Sequence, residues 1–276
     1  MEREILLNSE LNTELKHKGF VKLNAIDAGE LMKAYKEISV ANTAQLNGHQ
    51  NKVVDVSYHS TFFEDNKAYK QLVFDVIGTL LAPLLKNYFN GYKIIQANIF
   101  NKPTGSGYVC PHQNLTTVDE TKFTSVSIWI PLQPTNISNG TLFFAPGSHK
   151  KFSKFRNFNI DWEPLRTFAR LEDYGMVGVD MNVGDVLIFN DSIIHASPVN
   201  ESGADRIVFH CLAIPQEAKA IYCKKSEDNI DVIEVPDNFW QFFTPGNPEP
   251  VGPVIKSEKL VIEKYTPSSI LHELSR

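Results

Sequence analysis

Cysteine is scarce in this chain of 276 residues: Cys110, Cys211 and Cys223 make an odd three without metal-type spacing. That excludes the disulfide framework of a small secreted domain and fits a reducing compartment, so a cytoplasmic location is expected. Long apolar runs are missing too. No stretch approaches the roughly 18 consecutive apolar residues that span a bilayer, and Met1-Glu2-Arg3-Glu4 offers no basic region ahead of an apolar one. No membrane association is expected. Positive charge is in deficit, with 27 Lys and Arg against 32 Asp and Glu and a net charge of -5. Lys150-Lys151 and Lys224-Lys225 are short solvated pieces, and nucleic acid is not expected as a partner. Internal repeats and low-complexity tracts are absent as well.

What is present is a 42% hydrophobic chain, enough for one large core, and a single domain over 1–276 is expected. Its first part, about 1–90, reads as helical. Asp27 and Glu30 form a capping box ahead of Leu31, Ala34, Tyr35 and Ile38. Tyr69, Leu72, Val73, Val76, Ile77, Leu80 and Leu81 keep three-four spacing until Pro83, which breaks or restarts the helix. Both stripes should pack on the outside of a sheet. From about Tyr92 the period becomes two. Ile94, Gln96, Asn98 and Phe100 share one strand face before the turn-rich Lys102-Pro103-Thr104-Gly105-Ser106-Gly107, and Val126, Ile128 and Ile130 alternate with Ser125, Ser127 and Trp129. Asn139-Gly140 signals a hairpin ahead of a strand Thr141-Leu142-Phe143-Phe144, Pro146-Gly147-Ser148-His149 a turn, and Asp185 to Phe189 and Arg206 to Cys211 further strands. Many short strands after helices predict a mainly β fold with flanking α-helices, a jelly roll, over about 91–215. Residues of about 216–276, with Phe239, Trp240, Phe242 and Phe243 followed by Pro245, Pro248, Pro250 and Pro253, should cover the barrel or an oligomer interface.

The chemistry-bearing stretch is Pro111-His112-Gln113-Asn114-Leu115. On a strand, residues two apart face the same way, so His112 and Asn114 would converge on one point. With the distal His195 they approach the facial triad of non-haem iron sites, two histidines and a carboxylate, except that the carboxylate position reads asparagine. Arg206 follows and starts a strand, with Ser197 between; its guanidinium could grip an anionic co-substrate bidentately. By parity Arg206, Val208 and His210 share a face, and Gln96 and Asn98 could look into the same interior. His17, His49, His59, His149 and His272 are read as ordinary core or surface histidines.

In order, Pro111-His112-Gln113-Asn114, Val118-Asp119-Glu120, Trp129-Ile130-Pro131-Leu132, Asn139-Gly140-Thr141-Leu142, Pro146-Gly147-Ser148-His149 and Gly184-Asp185 resemble the phytanoyl-CoA dioxygenase family of Fe(II)/2-oxoglutarate oxygenases over roughly residues 90–215. The resemblance implies a double-stranded β-helix of cupin-like form. It also implies Fe(II) and 2-oxoglutarate, O2 and a small-molecule substrate, with His112, Asn114 and His195 at the metal. Arg206 would then be the co-substrate anchor, with Trp129, Ser197, Gln96 and Asn98 near it. The family has aspartate where this chain has Asn114. A neutral amide oxygen is the weaker donor to Fe(II), although the dianionic co-substrate could itself chelate the metal. Three functions stay open: a hydroxylating oxygenase, an impaired non-enzymatic binding protein on the same fold, and an oxygenase with a redirected outcome such as halogenation or desaturation. Asp119 and Glu120 are expected to serve a turn or a rim contact. Phe155, Phe158, Trp162 and Arg166 are expected near the mouth.

Overall fold

Val126, Ile128 and Ile130 turn to one side of their strand while Ser127 and Trp129 turn to the other, and this division runs across a whole sheet. The computed structural model describes residues 3–41, 49–50, 55–152, 155–157, 175–246, 248–261 and 272. The major sheet has the order β1-β10-β7-β12-β5-β4, built from β1 (Phe20–Asn24), β10 (Asp185–Asn190), β7 (Val126–Pro131), β12 (Arg206–Pro215), β5 (Tyr92–Lys102) and β4 (His59–Ser60). Opposite it lies the order β6-β11-β8-β9, from β6 (Val109–His112), β11 (His195–Ser197), β8 (Phe143–Phe144) and β9 (Val177–Gly178). All pairings are antiparallel. The result is the expected jelly roll with helices on one face.

Those helices are α1 (Ser9–Lys18), α2 (Ala28–Ala41) and α3 (Lys67–Tyr88). Leu31, Ala34 and Ile38 of α2 and Val73, Ile77 and Leu81 of α3 pack on Ile99, Ile128, Ile188 and Phe209, the outer face of the major sheet. Asp27 caps α2 through Gly29 and Glu30 amides at 2.8 and 3.1 Å. The expected return bond is not made, and Glu30 lies 4.0 Å from Lys33. Pro83 does not break α3, which runs on to Tyr88. Pro83 and Thr79 are both exposed, so the carbonyl that loses its donor faces water.

Between the sheets Trp129, Leu187, Phe189 and Val208 meet Leu142 and Phe144, an inner core from which one end is left to polar residues. A bulge opposite Leu212 and Ala213 reverses parity in β5. Ile94 therefore joins the outer core with Ala97 and Ile99 instead of sharing a face with Gln96. Asn139-Gly140 is also not a hairpin turn. It ends a 3-10 turn over Ile137–Asn139, with Gly140 at φ 78°, and the strand behind it is only Phe143–Phe144.

The C-terminal part forms a meander of β13 (Ile221–Ser226), β14 (Asn229–Glu234) and β15 (Val254–Lys259), with α4 (Phe239–Phe242) between. Phe239, Trp240 and Phe243 are buried against Ile95, Leu212, Ile214 and Tyr222, closing one end of the barrel. A further small pair, β2 (His49–Gln50) and β3 (Asp55–Val56), stands apart.

Candidate metal and co-substrate site

His112 closes β6 and His195 opens β11, and the two are direct partners in the antiparallel register. Side chains opposed in this way stand side by side on one face, and the ring centroids are 4.2 Å apart. Each ring is fixed by the same device. His112 Nδ1 lies 2.8 Å from the Cys110 carbonyl and His195 Nδ1 2.9 Å from that of Ile193. A carbonyl can only accept, so Nδ1 carries a proton in both rings and Nε2 is the atom turned to a metal. Phe189 and Phe144 pack on His195 at centroid distances of 5.0 and 6.0 Å. Burial, followed by the neighbouring His112, holds the His195 pKa well below its ordinary value. Two imidazoles oriented through Nδ1, leaving Nε2 to face a metal, are what a divalent ion requires.

Asn114 does not continue the strand, because β6 ends at His112. Its backbone N–H donates to the Asp191 carbonyl at 2.9 Å. Its side-chain amide reaches the Ser127 hydroxyl and the Asp191 carboxylate, both at 2.9 Å. Ser127 Oγ donates to the same Asp191 oxygen at 2.6 Å and lies 2.9 Å from His210 Nε2. A hydroxyl has one proton, so His210 must donate and is neutral, in keeping with burial that pushes its pKa down to about 4. Asp119 and Glu120 serve elsewhere, as expected. Asp119 closes a turn through Thr121 and Lys122, and Glu120 pairs with the buried Arg156 and accepts from Ser192. Among the described residues no group of three or more His, Cys, Asp and Glu is placed to hold a metal. The two imidazoles are the metal-type donors that the described residues bring together.

Arg206 is 4% exposed and Lys102 1%. They are register partners on β12 and β5, two cations directly opposed across an antiparallel pair. Such a pair repels itself. Among the described residues neither makes an ion pair, and Arg206 Nε is buried with no hydrogen-bond partner. Lys102 Nζ donates to Ser197 Oγ and, at 2.8 Å, to the Pro198 carbonyl. Its pKa is pushed down to about 5 by burial and then by Arg206. Burial likewise brings Arg206 down to about 10, opposed by Tyr58. The guanidinium lies over Trp129, 5.4 Å from its centroid. Ser197 stands two residues beyond His195 on β11, so the cations and the imidazoles flank one interior. An anion placed between them would answer the orphaned guanidinium, and the residues fit a 2-oxo diacid that also reaches a metal.

Lys102 is the functional residue that sequence reasoning missed. It continues the Gln96, Asn98, Phe100 face by parity and belongs to β5, not to the loop in which Lys102-Pro103 places it by composition. Gln96 and Asn98 do face this interior, but their amides are committed to the Trp240 carbonyl at 2.8 Å and to one another at 3.2 Å. Phe155 packs against the C-terminal sheet with Ile221 and Cys223. Phe158, Trp162 and Arg166 lie outside the described residues.

Comparison with known proteins follows the same lines. The family described as phytanoyl-CoA dioxygenase (PhyH) matches residues 21–208. Phytanoyl-CoA dioxygenase of Arabidopsis thaliana is 27% identical over 136 residues, 48% of this chain and 46% of the relative. Phytanoyl-CoA dioxygenase domain-containing protein 1 of Danio rerio is 30% identical over 118 residues, 40% of each chain. The matched part thus spans less than half the length of these relatives. Among solved structures, the epimerase SnoN in complex with Fe3+, alpha ketoglutarate and nogalamycin RO superposes with a TM-score of 0.54 at 16% identity, covering 90% of this chain and 94% of that one. HygX from Streptomyces hygroscopicus with nickel, 2-oxoglutarate and hygromycin B gives 0.54 at 16%, covering 76% and 88%. With the family matched over more than half of its residues, this chain belongs to the phytanoyl-CoA dioxygenase (PhyH) family.

Proposed function

We propose that this chain is a non-haem Fe(II)/2-oxoglutarate-dependent dioxygenase that hydroxylates a small organic molecule. The observation that carries the reading is the juxtaposition of two converging imidazoles with a buried lysine–arginine pair that lacks an acid. His112, His195 and Asn114 would hold the metal. Arg206 and Lys102 would take the far carboxylate of the co-substrate, with the Ser197 hydroxyl beside it and the Trp129 ring beneath the guanidinium. When bound, iron and 2-oxoglutarate supply activation of O2, with decarboxylation to succinate coupled to insertion of oxygen into a substrate C–H bond. The chain's own part is to orient and to exclude water. The two backbone carbonyls fix both tautomers, and Phe144 and Phe189 keep the inner side of His195 dry. The cation pair gives the diacid one direction of entry.

A small-molecule substrate is supported by family membership and by the organic molecules named in the HygX and SnoN complexes. We read the chain as one oxygenase-like domain with a helical part, a jelly-roll core and a C-terminal cover. Three cysteines without a disulfide support a reducing compartment such as the cytoplasm. Succinate release that requires both Fe(II) and 2-oxoglutarate tests the reading. Arg206→Ala is expected to weaken 2-oxoglutarate binding far more than metal binding. A folded protein that releases no succinate under any supply of the two would favour a binding protein instead.

A further inference from the structure

Asn114 leaves the metal site one negative charge short, and the structure holds a carboxylate directly behind it. Asp191 is fully buried. Its Oδ1 accepts from the Asn114 amide and from Ser127 at 2.9 and 2.6 Å. Ser127 in turn accepts the second amide proton and the His210 Nε2 proton. Every proton in this network has one direction. Both protons of Asn114 Nδ2 are therefore committed to the Ser127–Asp191 side, and the carbonyl Oδ1, on the other edge of a planar amide, must turn away from it. Among the described residues no donor reaches that oxygen. Burial pushes the Asp191 carboxyl up, and the hydrogen bonds from Asn114 and Ser127 and the Arg156 guanidinium oppose that shift.

We propose that Asp191 is the positioning residue of the metal site. It locks the Asn114 amide with Oδ1 facing the two imidazoles as the third donor. The inference rests on the metal reading of His112 and His195 given above. Asn114 and Asp191 then act as one unit, an amide in contact with the metal and an acid behind it.

Co(II), used as the probe in the presence of 2-oxoglutarate, tests this by titration calorimetry and by the visible absorption of the bound ion. Asp191→Asn is expected to weaken Co(II) binding about 10 to 100-fold, the range for losing a group that orients a metal ligand. Its absorption spectrum is expected to change in the same direction as that of Asn114→Ala. In the Asn114→Ala background Asp191→Asn should have no further effect, because there is no amide left to hold. The exchanged pair Asn114→Asp with Asp191→Asn should restore binding, with the carboxylate now at the metal and the amide donating to it. Should Asp191→Asn not fold, Ser127→Ala probes the same amide from its other acceptor, and weaker Co(II) binding is again expected. Unchanged binding in Asp191→Asn or in a folded Ser127→Ala would overturn the proposal, as would an Asp191 effect that persists without the Asn114 amide. If the unsubstituted chain binds no Co(II), the metal reading falls and the positioning role with it. If it binds and is indifferent to Asp191, only the positioning role falls.

Discussion

Lys102 shows how far a single residue can be held from its ordinary chemistry. Buried and opposed by Arg206, its amine is pushed down to about 5 from 10.5. The unfolded chain therefore binds a proton that the folded chain does not between those values. Stability contributed at this position rises with pH across that window and is at its lowest below about 5. Replacing Lys102 with Met removes the dependence. The variant is expected to be more stable than wild type at neutral pH by at least about 1 kcal/mol, seen as a rise of about 2–4 °C in melting temperature, with the gap narrowing toward pH 10. The same variant should bind 2-oxoglutarate more weakly. In the wild type the arriving carboxylate draws a proton onto Nζ, so calorimetry in buffers of different ionisation enthalpy should register proton uptake near neutral pH, and none in Lys102→Met. A variant neither more stable nor weaker in binding would remove Lys102 from the site.

At the scale of elements, the short connections around β5 and β6 do the positioning. Gly107 sits at φ 81°, and a Cβ there would meet Lys102 Cγ at 2.3 Å. Gly107→Ala is therefore expected to lower stability through both the left-handed backbone and the displaced lysine stem. It should weaken 2-oxoglutarate binding while leaving Co(II) affinity in its absence close to wild type, because β6 carries the histidine beyond the turn; equal loss of both would contradict this. Much of this layout was legible. The outward Val126, Ile128 and Ile130 against the inward Ser127 and Trp129, and the shared face of Arg206 and His210, followed from period two alone. The bulge that turns Ile94 outward was not, since one extra residue leaves no mark on apolar alternation. Lys102 was hidden by its neighbours, as Pro103 and two glycines read as loop. Asp191 was hidden because an acid after Asn190 looks like a turn residue until its partners are seen. Local pattern fixes which face a side chain takes, whereas hydrogen-bond partners are set by pairing between segments distant in sequence.

Over the whole molecule, the jelly roll buries basic groups that no acid among the described residues answers, with Lys102 and the charged Arg206 on one flank of the interior and the imidazole pair on the other. Burial of unpaired charge costs stability, and natural structures retain it where a ligand answers it. The ligand-free protein should then be appreciably less stable than the bound one. A ligand that binds only the folded state stabilises it by about 2.7 kcal/mol at a hundred times its dissociation constant. Thermal unfolding with Co(II) and 2-oxoglutarate together is expected to shift the melting temperature up by more than the sum of the separate shifts, because the diacid bridges both flanks. Arg206→Ala should abolish the 2-oxoglutarate part and keep the metal part, and His195→Ala should do the reverse with residual diacid binding. Trp240→Ala supplies the contrast. It opens the packed end formed with Phe239 and Phe243 and is expected to destabilise by about 3–5 kcal/mol, as large aromatic truncations do, while preserving the ligand-induced increment at temperatures where it is folded. Strictly additive shifts in the wild type would mean that metal and diacid occupy separate places, and the two flanks would then not be one site.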